Sequence, residues 1–225
     1  MRIMPSLEEF KKILQNKRYL FHFHTTYTDG KIDIKDYFMW AKRNQVEVLI
    51  FCEHIRKETT YSLIDFEREV SFYSENYGIP YILGVETKLL PGGFLDINES
   101  DLEKVDLIGW GCHSFPKDLE LYISSVSKLF EVISKKKEKI WVWVHPGRFL
   151  KKKGFLHNNH KTLSSLIRLA EKYNVFIEKN LRDSLPPNPL WEKVNNVLRI
   201  IGVDAHNEDD LNEYENYLVY KRIRW

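Results

Sequence analysis

One local pattern recurs along the chain: a short β-branched and aromatic run, followed by an amphipathic stretch with helical spacing. Strand candidates lie at 19–24, 46–54, 81–86, 106–113, 140–145, 175–180 and 198–206. Helical candidates lie between them at 34–43, 62–77, 120–136, 162–173 and 189–196, with a last one at 208–220. Leu163, Leu166, Ile167 and Ala170, for example, have the i, i+3, i+4, i+7 spacing of a single helical face. Strands that alternate with helices predict right-handed βαβ units and a parallel sheet. Seven strand candidates in 225 residues suit a small closed TIM-like barrel better than an open sheet. No internal repeat, low-complexity stretch or Gly/Ser linker interrupts the pattern, so residues 1–225 are expected to form a single α/β domain. Pro186-Pro187-Asn188-Pro189 reads as a rigid turn between two elements.

Composition narrows the function classes. Hydrophobic residues at 43% and charged residues at 29% describe an ordinary globular chain and exclude disorder. Lys and Arg number 34 against 32 Asp and Glu, so net charge makes no case for nucleic acid or membrane as the main partner. Apolar runs such as 140–144 fall far short of a bilayer span. Pro5, Glu8 and Glu9 stand where a signal peptide would need an apolar stretch, which predicts a cytoplasmic protein. Cys52 and Cys112 are too few for a disulfide scaffold and form no C-x-x-C pair, so both are expected to pack as small apolar residues.

Six of the eight histidines end a strand candidate: His22 and His24, His54, His113, His145 and His206. Glu86 ends the third candidate, and Asp204 precedes His206 by two. In a parallel α/β architecture the C-terminal strand ends form one rim, where ligands bind. Period-two alternation predicts that His22 and His24 point to one side, and likewise Asp204 and His206. A single strand-end histidine usually serves packing. Five strands bringing histidines to one rim, with carboxylates between them, describe a metal-binding cup.

The segment His22-Phe-His24-Thr25-Thr-Tyr-Thr28-Asp29-Gly30, followed by Ile50-Phe-Cys-Glu-His54, resembles the opening of the PHP (polymerase and histidinol phosphatase) family. Gly84-Val-Glu86, Ile108-Gly-Trp-Gly-Cys-His113, Val144-His145-Pro146 and Gly202-Val-Asp204-Ala-His206 resemble its later signatures, in order along almost the whole chain. The resemblance implies a distorted (β/α)7 barrel and a metal-dependent phosphoesterase. It also implies nine metal ligands: His22, His24, Asp29, His54, Glu86, His113, His145, Asp204 and His206. One departure is Glu53, a methylene longer than the aspartate the family has before the ligand His54.

Imidazole and carboxylate without thiolate favour Zn, Mn or Fe. Nine ligands suit two or three divalent ions, with Glu86 the bridge by resemblance. The implied reaction is attack of a metal-bridging hydroxide on phosphorus, with Glu86, Asp204 and His206 as catalytic residues and Asp204 or a ligand histidine passing a proton to the leaving oxygen. Arg56 and Arg148 follow ligands closely and are candidate substrate-binding clamps for a phosphate. Lys151-Lys152-Lys153, with His157 and His160, reads as a solvated loop or a basic lid. Tyr27 is a candidate substrate contact, and Asn180 a candidate neighbour of the ligands.

The expected function is hydrolysis of a small phosphate ester, as in a histidinol-phosphatase-like enzyme. Alternatives are a nuclease or phosphodiesterase acting on nucleic-acid ends or nucleotides, an amidohydrolase-like metal hydrolase, and a non-catalytic barrel scaffold that would have lost the ligands. A small phosphorylated substrate is the expected partner, nucleic acid enters only as a substrate, no membrane is involved, and oligomeric state is left open.

Overall fold

The computed structural model describes residues 1–136 and 138–222. In chain order the elements are α1 (Leu7–Asn16), β1 (Tyr19–Phe21), α2 (Ile34–Arg43), β2 (Val48–Ile50), β3 (Glu53–His54), α3 (Leu63–Tyr77) and β4 (Tyr81–Ile82). Then come β5 (Gly84–Leu90), β6 (Phe94–Leu95), α4 (Glu99–Lys104), β7 (Leu107–Gly111), α5 (Leu119–Ile133), β8 (Ile140–Trp143) and α6 (Arg148–Lys152). The chain continues through α7 (His160–Lys172), β9 (Phe176–Asn180), α8 (Asn188–Trp191), β10 (Arg199–Gly202) and α9 (Glu208–Arg222).

The strands pair in the orders β1-β2-β4 and β10-β9-β8-β7-β5-β3, all parallel, with β6 added antiparallel to β5. Each of two predicted strands is split in two, giving β2 with β3 and β4 with β5. At the break the chains crowd together: a Cβ at Gly84 would lie 2.3 Å from the Phe51 carbonyl oxygen. Phe51 N still donates to Ile82 O (3.1 Å), and Ile55 N to Glu86 O (2.9 Å), so the two paths form one curled sheet. The remaining seam lies between the first and last strands. There Val203 N donates to Phe21 O (3.0 Å), Asp204 N to His22 O (2.7 Å), and His24 N to Ala205 O (2.8 Å). The result is a TIM-like barrel of seven parallel strands, as the alternation predicts, with the distortion that the resemblance implies.

Side chains alternate along each strand, so one set faces the barrel interior and the other faces the helices. The interior set, Val48, Ile50, Ile82, Leu107, Ile140, Val142, Phe176 and Ile200, forms a closed apolar cluster. Phe10 of α1 seals its lower end and meets Phe176 edge-on at 4.8 Å. The sequence reading does not anticipate α1. Its local cause is a capping box, in which Ser6 accepts from Glu9 N and Glu9 accepts from Ser6 N. Asp33, Ser62 and Asp118 cap α2, α3 and α5 through a single bond, each side chain accepting from the backbone N–H three residues on and contributing about 1 kcal/mol. The outer cluster includes Trp110 stacked on Trp143 at 5.1 Å against Phe130 of α5. Burying such a side chain contributes roughly 1.5–3 kcal/mol.

The expected loop after β8 is structured instead. Gly147, at φ 98°, turns the chain directly into α6, so Lys151 and Lys152 are helical, and a 3-10 turn at Leu156–Asn158 leads into α7. Cys52 and Cys112 are buried free thiols, as expected of packing residues.

Candidate metal centre at the barrel rim

Three strands end on residues in the left-handed backbone region: His22 (φ 61°), His145 (φ 35°) and Asp204 (φ 57°). For non-glycine residues this conformation costs on the order of 1–3 kcal/mol each and persists only when its surroundings impose it. His22 therefore lies beyond the regular strand, and simple alternation does not place it. The kink nonetheless brings its ring to 5.1 Å from that of His24. Asp204 N and Ala205 N both donate to His22 O, so the two kinked ends brace each other.

All nine predicted residues meet in one cup. Its centre is Glu86, which is fully buried. His113 Nε2 and His145 Nε2 each lie 2.7 Å from Glu86 Oε1. His54 Nδ1 is 3.0 Å, His22 Nε2 3.5 Å and His24 Nε2 3.6 Å from Oε2. Asp204 Oδ1 stands 3.3 Å from His24 Nε2 and 3.6 Å from His22 Nε2. Asp29 Oδ1 completes the mouth, 3.4 Å from His54 Nε2 and 3.6 Å from His206 Nε2.

Four triads within this set could each hold an ion: His24/His54/His206, His22/Glu86/His145, His22/His24/Asp204 and His54/Glu86/His113. His22 Nε2, both nitrogens of His24, and Glu86 Oε2 are buried without a hydrogen-bond partner. Convergent imidazole nitrogens beside carboxylate oxygens, left without partners in a buried space, are the donor set that a divalent transition metal requires. The cup's electrostatics point the same way. Burial works against charge on Glu86, but His113 and His54 hold its carboxyl well below the usual range. Asp204 is held low in the same manner by His22, His24 and Arg148.

Two further carboxylates, both buried, lie behind the ligands. Glu53 accepts from Thr25 N (2.7 Å), Thr25 Oγ1 (2.6 Å) and Thr28 Oγ1, and its Oε1 is 3.4 Å from His24 Nδ1. The extra methylene of Glu53 therefore leaves it in reach of His24. Glu178 accepts from His22 Nδ1 (2.5 Å) and from the His145 backbone N–H. Sequence reasoning passes over Glu178, although period two places Phe176, Glu178 and Asn180 on one inward face. Asn180 does reach the site: its Nδ2 donates to Asp204 Oδ2 and to Glu178 Oε2, both at 3.3 Å.

The glycines of the rim are also missed at the sequence level. A Cβ on Gly111 would lie 2.2 Å from His145 Cε1, and one on Gly202 would lie 1.6 Å from Glu178 Oε1. Each is bare because a site residue occupies the space where its side chain would be.

The two predicted clamps are placed differently from expectation. Arg148 is buried, with Nε donating to Asp183 and Nη2 to Asp204, so its fork is engaged by carboxylates instead of standing open above the rim. Arg56 folds back and donates from Nη1 to the carbonyls of Ile55 (2.5 Å) and Glu86 (2.8 Å). Tyr27 turns away from the cup: its hydroxyl donates to Glu69 and its ring packs on Tyr61 and Phe66. The exposed guanidinium at the mouth belongs to Arg182, on the turn after β9, whose Nη1 donates to His206 Nδ1 (2.7 Å). No sequence signal marks it.

No family model matches the chain. In sequence it is similar to the DNA polymerase/3'-5' exonuclease PolX of Bacillus subtilis (strain 168), 23% identical over 218 residues. The match covers 91% of this chain and 37% of that protein, so the chain spans little more than a third of the relative's length. In structure it is similar to histidinol phosphate phosphatase from Lactococcus lactis subsp. lactis Il1403, solved with zinc, L-histidinol and phosphate. The TM-score is 0.59 at 16% identity, covering 92% of this chain and 93% of that one, a likeness of fold. The barrel, the sequence match and the order of the strand-end motifs are together consistent with a PHP domain.

Proposed function

We propose that the chain is a metal-dependent phosphoesterase that hydrolyses a small phosphorylated molecule. One observation carries this reading: eight ligand-type side chains from six strand ends, with buried Glu86 at their centre and Asp29 at the mouth, gather in one cup and leave imidazole nitrogens without partners. His22, His24, Asp29, His54, Glu86, His113, His145, Asp204 and His206 would hold two or three divalent ions, with Zn, Mn and Fe suited to the donor set. Such ions supply Lewis acidity toward phosphoryl oxygens and acidify a water molecule.

The remaining roles fall to the chain itself. Glu86 reaches five histidines and would be the carboxylate placed to hold more than one ion. Asp204, buried between Arg148 and Asn180, stays ionised and serves as a base at its Oδ1. His206 lies at the mouth, where burial and His24 lower its basicity and Arg182 donates to its Nδ1, so its part in catalysis would be to offer Nε2 to an ion at the opening. Arg182 presents its guanidinium at the opening, and Arg56 and Arg148 lie behind it, so a phosphate dianion would approach a cationic edge. Among the described residues no helix is long and apolar enough to cross a membrane. Two buried thiols accord with a reducing, cytoplasmic setting.

A second reading, hydrolysis of nucleic-acid ends, is favoured by the PolX match and by exposed Lys151 and Lys152 beside the rim. A phosphatase screen over metabolites, nucleotides and a single-stranded oligonucleotide, after reconstitution with Zn, Mn or Fe, tests both. Turnover of small monoesters alone supports the first reading, and preference for the oligonucleotide supports the second. Less than one metal equivalent per chain after reconstitution, by elemental analysis, would overturn the metal centre.

A further inference from the structure

We infer that Glu178 is a positioning residue: its buried carboxylate aims His22 into the cup and holds the kinked strand end at His145. The inference rests on the metal reading above and adds to it a residue outside the ligand set.

Four observations converge on Glu178. It is fully buried on β9, facing the barrel interior. Its Oε1 accepts from His22 Nδ1 at 2.5 Å. A neutral imidazole that donates from Nδ1 presents a bare Nε2 to an ion, and here that atom faces Glu86 and Asp204 without a hydrogen-bond partner. The other oxygen, Oε2, accepts the backbone N–H of His145, a residue in the left-handed region, and also accepts from Asn180 Nδ2. One carboxylate thus fixes the side chain of one kinked residue and the backbone of another. The space it occupies exists only because Gly202, on neighbouring β10, has no side chain.

Glutamine is the informative replacement. Its amide has the same shape but only one acceptor oxygen. Whichever way it turns, its NH2 faces either His22 Nδ1–H or the His145 N–H, and one of the two contacts is lost. Gly202→Ala attacks the same geometry from the opposite wall and leaves the Glu178 chemistry unchanged.

The test measures zinc affinity by chelator competition, alongside thermal melting of the metal-free protein, for the parent, Glu178→Gln and Gly202→Ala. Loss of a partner behind a metal-binding histidine typically costs 10–100-fold in affinity. Glu178→Gln is expected to weaken zinc binding about 10- to 100-fold while metal-free melting stays close to the parent's. Gly202→Ala is expected to weaken it by a similar factor, and the double variant by little more than either single one, since both disturb one contact. Zinc-loaded parent should show a slowly exchanging His22 Nδ1–H in nitrogen-15 spectra that Glu178→Gln lacks. Parent-like zinc affinity in Glu178→Gln overturns the inference while leaving the metal centre standing. A fall in affinity matched by a fall in metal-free melting would make Glu178 a structural residue and also overturn it. A parent that binds no zinc would instead overturn the metal reading beneath it.

Discussion

The cup has two halves built on different principles. The deep half, His22, His24, Glu86, His145 and Asp204, is 0–1% exposed, and Glu53, Glu178, Asn180 and Arg148 hold its members from behind. The outer half, Asp29, His54, His113 and His206, has side chains 16–59% exposed and faces solvent on one side. Deep ligands are fixed before any ion arrives, whereas Asp29 owes its place mainly to the imidazoles of His54 and His206. Rigidity is concentrated where the strands kink, and access is concentrated where the loops begin.

The largest expected effect lies in the deep half. His22→Ala or Asp204→Ala should lower p-nitrophenyl phosphate hydrolysis by roughly a thousandfold or more and remove at least one metal equivalent, because no neighbour can replace either group. Asp29→Ala should lower the same rate by only about 10–100-fold, as the loss of one exposed ligand from a set of nine. Equal losses from both halves, read by kinetics and elemental analysis, would erase the distinction.

Arg148 and Arg182 sharpen the comparison one step down. Arg148→Ala removes the cation behind Asp204 and should reduce kcat/KM about 30- to 1,000-fold with metals and fold retained, and Arg148→Lys should recover only part. Arg182→Ala, at the exposed mouth, should raise KM about tenfold with little change in kcat. A larger loss from Arg182→Ala than from Arg148→Ala would mean that the phosphate is gripped mainly from the mouth.

His54 of the outer half and His145 of the deep half should titrate oppositely in metal-free protein. Burial disfavours charge on His54, but Glu86 and Asp29 outweigh it and raise its pKa to about 9. Burial dominates at His145 and lowers its pKa to about 4. A raised pKa stabilises the folded chain below the ordinary histidine value, and that contribution is lost as pH rises through about 9. A lowered one contributes above the ordinary value and is lost as pH falls toward about 4. Histidine ring-proton NMR across this span would reveal two separate transitions, and a single shared midpoint near 6.5 would contradict the split. The smallest effect is expected for Cys112→Ala, which should leave turnover within a few-fold because that thiol only packs.

The fold was largely legible in the sequence because it rests on period, and the strand-end histidines stood out with it, whereas the full ligand set, Asp29 above all, came from the resemblance to the PHP family. Runs such as 140–144 and the spacing of Leu163, Leu166, Ile167 and Ala170 report which face is buried, and strand ends follow from where those runs stop. What supports the ligands was not legible, for three physical reasons. Glu178 reads as an ordinary charged strand residue until Gly202, on the next strand, is seen to vacate its space. Arg148 reads as a rim clamp, but Gly147 turns the chain straight into α6, and the guanidinium meets Asp183 and Asp204. Arg182 acquires a role only once the turn after β9 brings it to His206.

The seam between β1 and β10 has a consequence for how the molecule assembles. His22 and His24 lie at one edge of that seam, and Asp204, with His206, at the other, so an ion held by His22, His24 and Asp204 would staple the first barrel strand to the last. Nearly the whole chain lies between them, and closing so long a loop is a late, entropically costly event in folding. Metal supply would then act on folding as well as on catalysis. The backbone hydrogen bonds of the seam already make this closure, and a bound ion would add to its stability.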